Sequence, residues 1–399
     1  MSNLLELYGI CLCTAILFFF ISILNRFVSL RKPIHRRTPG GIHLLLDPPT
    51  SSKDTLLLSR ASPNARLRRA FRLTNTFVSA NPAVHSDFVK KSIVLLHATK
   101  RDWEVFTGIA VQAVESALPD FTTPFHTFVR AVTLRTIIVG LLDPQIVVTT
   151  LASNDIDVVT RLITDIWILS KNPDSVPEHL LERLNVRLRR LVPDHDAYPN
   201  PLDFVIPTWE TLWRVVAVTV AHIYADADAC AAFRDLNDNP TADQFRGKRV
   251  HTTSPSAEDH IHESLRLYPP VKHITRHIVC TTVVTTFLPG FLAARIPLRI
   301  EIADIESAQR SAFWGSDPDV YDPTRFLHQP DRAKELLAFG YGPLRCKAAH
   351  WAPMAAGAIV AAILSRVDEV RYRFVRGDRI GGREGWDGWF VRKVNPDST

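Results

Sequence analysis

Five cysteines among 399 residues are too few for a disulfide framework, and two of them, Cys11 and Cys13, fall inside an apolar N-terminal run. Glycine is scarce at 16 and, with 27 prolines, follows no repeat period, which excludes collagen-like and solenoid chains. Long uncharged apolar runs are also lacking but for that at the N-terminus, so a multi-span membrane protein is excluded. Basic runs interleaved with aromatics are missing as well. The net charge of +6 is spread over Lys32, Arg36, Arg37, Arg66, Arg68, Arg69, Arg72 and the 183–190 stretch, and no nucleic-acid partner is expected. What is present, 46% hydrophobic and 22% charged residues, describes a globular chain too apolar for disorder.

Residues 7–24 read LYGICLCTAILFFFISIL, 18 residues without a charge. As a helix they span about 27 Å, close to one hydrocarbon core. Glu6 is the one charge before them, whereas Arg26, Arg31, Lys32, Arg36 and Arg37 follow, which directs the C-terminal bulk to the cytosol. A cleaved signal peptide needs the reverse charge order and small residues after the run. The expectation is a transmembrane signal-anchor at residues 1–25, in contact with membrane lipid. A basic, Pro/Gly-containing linker at 26–63 and a folded domain at 64–399 follow it. Pro39, Gly40, Gly41, Pro48 and Pro49 mark the linker.

Apolar residues recur at helical spacing through 88–96, 103–118, 125–142, 156–167 and 180–191, the last opened by Pro177. Residues 204–223 are apolar nearly all round and predict a central buried helix. Later, β-branched residues predict strands at 275–287 and 296–302 with a turn at Pro289 and Gly290. A terminal hairpin pairs 370–375 with 389–394 across the 377–388 loop. The fold class is mainly α with small β-sheets.

Three constellations carry chemistry. In Phe339-Gly340-Tyr341-Gly342-Pro343-Leu344-Arg345-Cys346, a Gly- and Pro-rich loop presents one cysteine ahead of the apolar helical run 348–364. A helix N-terminus favours thiolate, and a thiolate can be an axial ligand to haem iron; the bland alternative is a structural cysteine at a loop–helix junction. Glu263 and Arg266 share a helix face that ends at Pro269 and Pro270, and Arg325 in Tyr321-Asp322-Pro323-Thr324-Arg325-Phe326 can join them in a buried ion network. Pro207-Thr208-Trp209-Glu210-Thr211 places a carboxylate and a hydroxyl in the apolar helix. Pro207 cannot donate to the Asp203 carbonyl, so a kink that opens the helix is expected. The alternative is a helix that starts at Pro207 with Glu210 in solvent.

The order of these motifs resembles the cytochrome P-450 family of haem-thiolate monooxygenases, most like membrane-anchored fungal members. The resemblance covers about residues 64–394 and is dense from residue 201 onward. It implies a cytochrome P-450-like haem-thiolate fold holding haem b (iron protoporphyrin IX), with Cys346 as the axial iron ligand and Phe339 and Gly342 shaping its loop. It further implies a structural triad of Glu263, Arg266 and Arg325, an acid–alcohol pair of Glu210 and Thr211 for dioxygen and its protons, and Arg276, or else Lys272, at a haem propionate. The implied reaction takes electrons from an NADPH-dependent reductase and inserts one oxygen atom into an apolar small molecule, in secondary or xenobiotic metabolism, at the endoplasmic reticulum membrane. Arg332, Lys334, Arg345 and Lys347 are the cations placed to meet an acidic reductase.

The sequence departs from the family pattern in several places. Leu344 stands where the family usually has Arg or His, Ala348 replaces a glycine, and Pro207-Thr208 replaces a small Ala-Gly pair. No Trp-x-x-x-Arg for the third helix is present, leaving the 66–72 arginines as a substitute, and the chain is shorter than a typical member on its N-terminal side. These departures leave two alternatives open. One is a catalytically impaired membrane-anchored haem-binding relic; the other is a haem-thiolate isomerase or dehydratase that uses no external oxygen. His251, His260, His262, His273, His277 and Cys280 raise zinc, but their spacings match no usual ligand pattern.

Overall fold

Small residues decide where the core lies. In the helix Ala352–Arg366 the alanines around Gly357 let neighbouring helices approach, and residues 353–364 are all buried. A Cβ at Gly357 would lie 2.7 Å from the Phe245 ring, a contact that nothing larger than glycine tolerates.

The computed structural model describes residues 32–99, 102–172, 176–247, 254–278 and 299–394. Strand β1 (Ile34–Arg36) leads into helices α1 (Pro39–Leu46), α2 (Lys53–Ala61), α3 (Pro82–Thr99) and α4 (Trp103–Glu115). A short helix, Ala65–Phe71, lies between α2 and α3. Strand β2 (Thr122–Pro124) precedes α5 (Phe125–Ile137), α6 (Ser153–Leu169), α7 (Glu178–Leu191), α8 (Leu202–Ile223), α9 (Ala227–Asp238) and α10 (Ala257–Leu267). Strands β3 (His273–Ile278) and β4 (Arg299–Asp304), helix α11 (Ala352–Arg366) and strands β5 (Tyr372–Val375) and β6 (Phe390–Lys393) complete the order. The mainly helical architecture with small sheets is thus present. The apolar run 7–24, His251, Cys280, the 289–290 turn and most of the strand stretch expected after residue 278 lie outside the described residues.

Helix α11 packs against α4, α8, α9 and α10, and α8 packs against α5 and α10. Trp209 and Trp213 of α8 are fully buried, as the all-round apolarity of that segment predicts. Trp351, at the start of α11, stacks on Trp103 and meets Phe106 edge-on, pinning that helix to α4. Burial of each such side chain contributes about 1.5–3 kcal/mol. Helix α7 buries the predicted stripe, Leu181, Leu184, Leu188 and Leu191, against α6.

Pro207 does not open α8. The helix starts at Leu202, upstream of the proline, and runs unbroken to Ile223. The Asp203 carbonyl that Pro207 leaves without a helical donor accepts Asn75 Nδ2 at 2.9 Å. The Asp203 carboxylate in turn accepts Thr74 N, Thr74 Oγ1 and Asn75 N. With its orphan carbonyl satisfied from the 74–75 segment, the proline costs little, and both the expected opening of the helix and a start at Pro207 are corrected.

The expected linker is corrected too. Thr38 Oγ1 accepts Gly41 N at 3.2 Å and caps α1, whose Pro39 sits at a first-turn position that needs no N–H donor. Ile42, Leu45 and Leu46 are buried with Ala303, Ile305 and Leu337. Residues from 34 onward therefore belong to the folded domain, which starts well before residue 64.

One sheet has the order β1-β4-β3, with β1 parallel and β3 antiparallel to β4; the other has the order β2-β6-β5, antiparallel throughout. The terminal hairpin forms as expected, Tyr372 opposite Lys393. Strand β2 joins its open edge.

Burial lowers three histidines near the centre, His222, His260 and His262, each to about 4, with Arg376 adding to the effect at His222. Each stays neutral in the fold but takes a proton near pH 6.5 once unfolded. The unfolded chain therefore binds more protons between pH 6.5 and 4. Stability is expected to be full above pH 6.5 and to fall through that window by up to ~1.4 kcal/mol per pH unit per histidine. Urea unfolding at pH 7, 6 and 5 measures this, and equal midpoints would refute it.

Candidate functional site

Helix α10 ends in the most tightly determined part of the molecule. Ser256 and Asp259 cap its start reciprocally, and Glu263 and Arg266 come one turn apart on its inner face. Both side chains are wholly buried. Arg266 Nε and Nη2 each reach the carboxylate at 2.7 Å. Its Nη1 donates to the carbonyls of Gln309 and Pro318, and Nη2 donates also to Val320 O. All five guanidinium N–H donors are thereby used. Asp322 N donates to Glu263 Oε1 at 2.8 Å, and Arg325 Nε lies 3.6 Å from the same oxygen. Arg325 also donates to the carbonyls of Trp314 and Asp317. The three-residue network expected from the sequence is assembled.

The cysteine loop leans on this frame. Gln309 accepts Leu337 N and donates to the Leu265 and Arg266 carbonyls, tying the stretch before the loop to α10. The loop closes on itself where Cys346 N donates to Phe339 O at 2.9 Å. Gly340 and Gly342 both take φ of +71°, which favours glycine. At Gly342 a Cβ would also come 2.6 Å from Asp47 Cβ, so the turn is walled by the residue that ends α1. Tyr341 stacks on His43 of α1 at 3.8 Å.

Cys346 is followed by a tight turn, Lys347–His350, before α11 begins at Ala352. The cysteine does not sit directly on the long helix, as expected from sequence. Its side chain is reached by solvent, yet protein surrounds it closely enough that burial pushes the thiol up, against smaller lowering effects from the Ala348 N–H and the charges of Arg345 and Lys347. Both facts fit a sulfur at the floor of a recess. Deprotonation therefore calls for a metal ligand role more than for helix polarity alone.

Beside the loop lie two buried cations. Ile274 of β3 approaches Gly340, and two residues on Arg276 is 6% exposed with its Nε unpartnered. Burial, with the nearby charge of Arg60, lowers Arg276 to about 10, and burial lowers Arg60 likewise to about 10. Arg60, on α2, donates to Thr76 O at 2.7 Å, and Thr76 Oγ1 meets His85 Nδ1 at 2.8 Å. The His85 ring is lowered to about 4 by burial, then by Arg60, Lys53 and Lys347, which places this group next to the cysteine loop. Among the described residues neither Arg60 nor Arg276 has a carboxylate within ion-pair distance. Two buried guanidiniums, the charge of one felt by the other, call for an anion. The carboxylates of a porphyrin held by Cys346 would answer that need, so the residues present fit haem. Lys272, the alternative to Arg276, instead pairs with Glu306 at 2.7 Å on the surface.

Glu210 is buried, and both its oxygens are taken. Oε2 accepts Arg214 Nη2 at 2.8 Å, and Oε1 accepts Arg383 Nε at 2.8 Å and Nη2 at 2.6 Å. Arg214 donates onward to Pro270 O, joining α8 to the end of α10. Arg383 lies over the Trp167 ring on a glycine-flanked loop. Thr211 is partly exposed, and its hydroxyl has no hydrogen-bond partner among the described residues. The pair is adjacent in the helix, but its acid half is held by two arginines.

Arg66 donates to Ser170 and lies over Trp167, and Arg72 pairs with Glu178. The 66–72 arginines thus brace α6 and α7, and it is Arg60 that meets Arg276. Sequence reasoning missed Arg60 and His85, which stand in no motif; proximity of Arg60 to Arg276 across more than 200 positions leaves no local signal. The histidines do not gather: His260 and His262 flank the buried face of α10 while His277 bonds Ser62 and His273 faces Asp304. Arg345 and Lys347 are exposed, Lys334 pairs with Asp331, and Arg332 lies over Phe313 and Trp314.

The family model of cytochrome P450 matches residues 254–368, the stretch that holds Glu263, Arg266, Arg325 and Cys346. The cytochrome P450 monooxygenase opdE of Penicillium oxalicum is 29% identical over 168 residues, 39% of this chain and 34% of that protein. Cytochrome P450 72A15 of Arabidopsis thaliana is 32% identical over 111 residues, 27% and 20% of the two chains. The matched part of the chain thus spans about a third of the length of the first of these curated relatives and a fifth of the second. Among solved structures, a six-coordinated cytochrome P450 from Thermus thermophilus superposes with a TM-score of 0.61 at 14% identity, over 91% of this chain and 93% of that one. The structure of CYP154A1 from Streptomyces coelicolor gives 0.57 at 17% identity, over 90% and 91%. Over nearly its whole described length the chain has the fold of solved cytochrome P450 structures, and its motif region, residues 254–368, matches the cytochrome P450 family model.

Proposed function

We propose that this chain is a haem-b monooxygenase that inserts one atom of dioxygen into an apolar small molecule, with electrons from an NADPH-dependent reductase. The observation that carries the reading is Cys346, presented by a glycine turn and closed by the Phe339 carbonyl, beside the unpaired buried cations Arg60 and Arg276. Bound haem would supply activation of dioxygen, with electron donation from a thiolate ligand favouring O–O cleavage. Arg276 and Arg60 would neutralise its carboxylates, Phe339 and Gly342 would shape the sulfur side, and the Glu263 network would fix the loop's distance from α10. Thr211, with a hydroxyl free of protein partners, would orient toward the ligand. Glu210 would act as an acid after release from Arg383, whose loop contains Gly381, Gly382 and Gly385.

The apolar run 7–24 and the cations after it support a single-pass anchor in the endoplasmic reticulum membrane with the haem domain in the cytosol. Arg345 and Lys347, exposed beside the cysteine, suit an acidic reductase surface. Likeness to a fungal cytochrome P450 monooxygenase supports the oxygen-inserting reaction. The lock on Glu210 favours a second reading, a haem-thiolate isomerase or dehydratase that needs no external oxygen. Purified full-length protein with reductase is expected to consume NADPH only when a substrate is present and to give products heavier by one oxygen. Haem-bound protein that never consumes NADPH but rearranges organic peroxides would replace the first reading with the second.

A further inference from the structure

The register of the β1-β4-β3 sheet brings together three side chains that the haem site does not use. His273 lies directly opposite Asp304, and His35 lies opposite Ile302, two residues before Asp304. Opposed residues, and residues two apart on one strand, share a face. His35, Asp304 and His273 therefore project from three adjacent strands on one side of the sheet. Arg36, Glu301 and Arg276 belong to the other side. Asp304 Oδ2 is 3.7 Å from His35 Nδ1, and Oδ1 is 3.5 Å from His273 Nε2. The two rings stand edge to face with centroids 6.1 Å apart, and the ligand atoms all lie within 4.8 Å of one another.

We propose that His35, His273 and Asp304 bind a zinc ion. A tetrahedral zinc with bonds of ~2.0–2.1 Å holds its ligand atoms about 3.3–3.5 Å apart, so the two Asp–His spacings are already close and the exposed histidine rings must draw in from a set that lies within 4.8 Å, by side-chain rotation. Two imidazoles and one carboxylate suit zinc over calcium or magnesium, which prefer oxygen. The histidines are 37% and 48% exposed at the side chain, so an ion has a path from solvent and the fourth position is open to water. Asp304 is 7% exposed and fixed by its cap to Ser307 N, which keeps one ligand preset. Arg37 Nε, 3.4 Å from Asp304 Oδ2, competes with a cation for that oxygen, and its 67% exposed side chain can move away. The bound ion clips the three-residue strand β1 to the strand that carries Arg276.

The test uses the full-length, haem-loaded protein after chelator treatment, dialysed against micromolar free Zn2+, with zinc and iron counted separately by elemental mass spectrometry. One zinc per chain is expected. His35→Ala and His273→Ala should each weaken binding by about tenfold or more, with the carbon monoxide difference spectrum unchanged as proof of folding. Arg37→Ala should tighten it. No bound zinc in the wild-type protein overturns the proposal, and so does one zinc that neither histidine variant weakens, since the ion then sits on other ligands.

Discussion

Cys346→Ala is expected to leave a protein that folds but carries no thiolate-ligated haem, with turnover at background. The backbone bond from residue 346 to Phe339 O needs no side chain, and the turn is held by Gly340, Gly342 and the Asp47 wall, so helical content should survive. The lost element is one sulfur that burial keeps protonated until a metal replaces the proton. The reduced protein's carbon monoxide difference spectrum, read beside far-ultraviolet circular dichroism, separates loss of ligand from loss of fold. An unchanged Soret band in the alanine variant would sink the assignment of Cys346.

Glu263→Gln should be the most damaging change to stability. It leaves Arg266 buried without its counter-charge, a loss on the order of 3–5 kcal/mol, against a typical total of about 5–15. Arg325 loses one of two carboxylate partners in the same step and keeps Asp322 at 3.9 Å. The double variant Glu263→Met/Arg266→Met should not restore stability, although apolar replacement of a buried pair is often neutral. Arg266 also serves three carbonyls, of Gln309, Pro318 and Val320, which methionine would leave unpaired in the interior at about 1–3 kcal/mol each. Soluble yield and urea midpoints measure both variants. A double variant as stable as the wild type would show that those carbonyls find other partners.

How much was legible in advance follows from how far apart partners lie in the chain. Glu263 and Arg266 are three residues apart on a helix, and the glycine loop around Cys346 is eight residues long, so local spacing exposed both. The terminal hairpin was legible because alternation and turn residues are local signals. Helix α1 was not: Pro39, Gly40 and Gly41 have turn composition, and what makes them helical is the Thr38 cap with burial against Ala303 and Leu337. The partners of Glu210 were equally hidden, for Arg383 lies 173 positions away. The consequence of Pro207 turned on Asn75, 128 positions from Asp203, which rescues one carbonyl of a helix that runs on unbroken.

The pairing of β1 with β4 has a consequence for biogenesis. Arg36 meets Glu301 across 265 positions, and α1 walls the turn ahead of Cys346, so the first folded residues have no partners until nearly the whole polypeptide has left the ribosome. Contacts of such sequence separation form slowly. The pocket around Cys346 is therefore completed late, with the β1 and β4 edges open to chaperones, or to aggregation, in the interval.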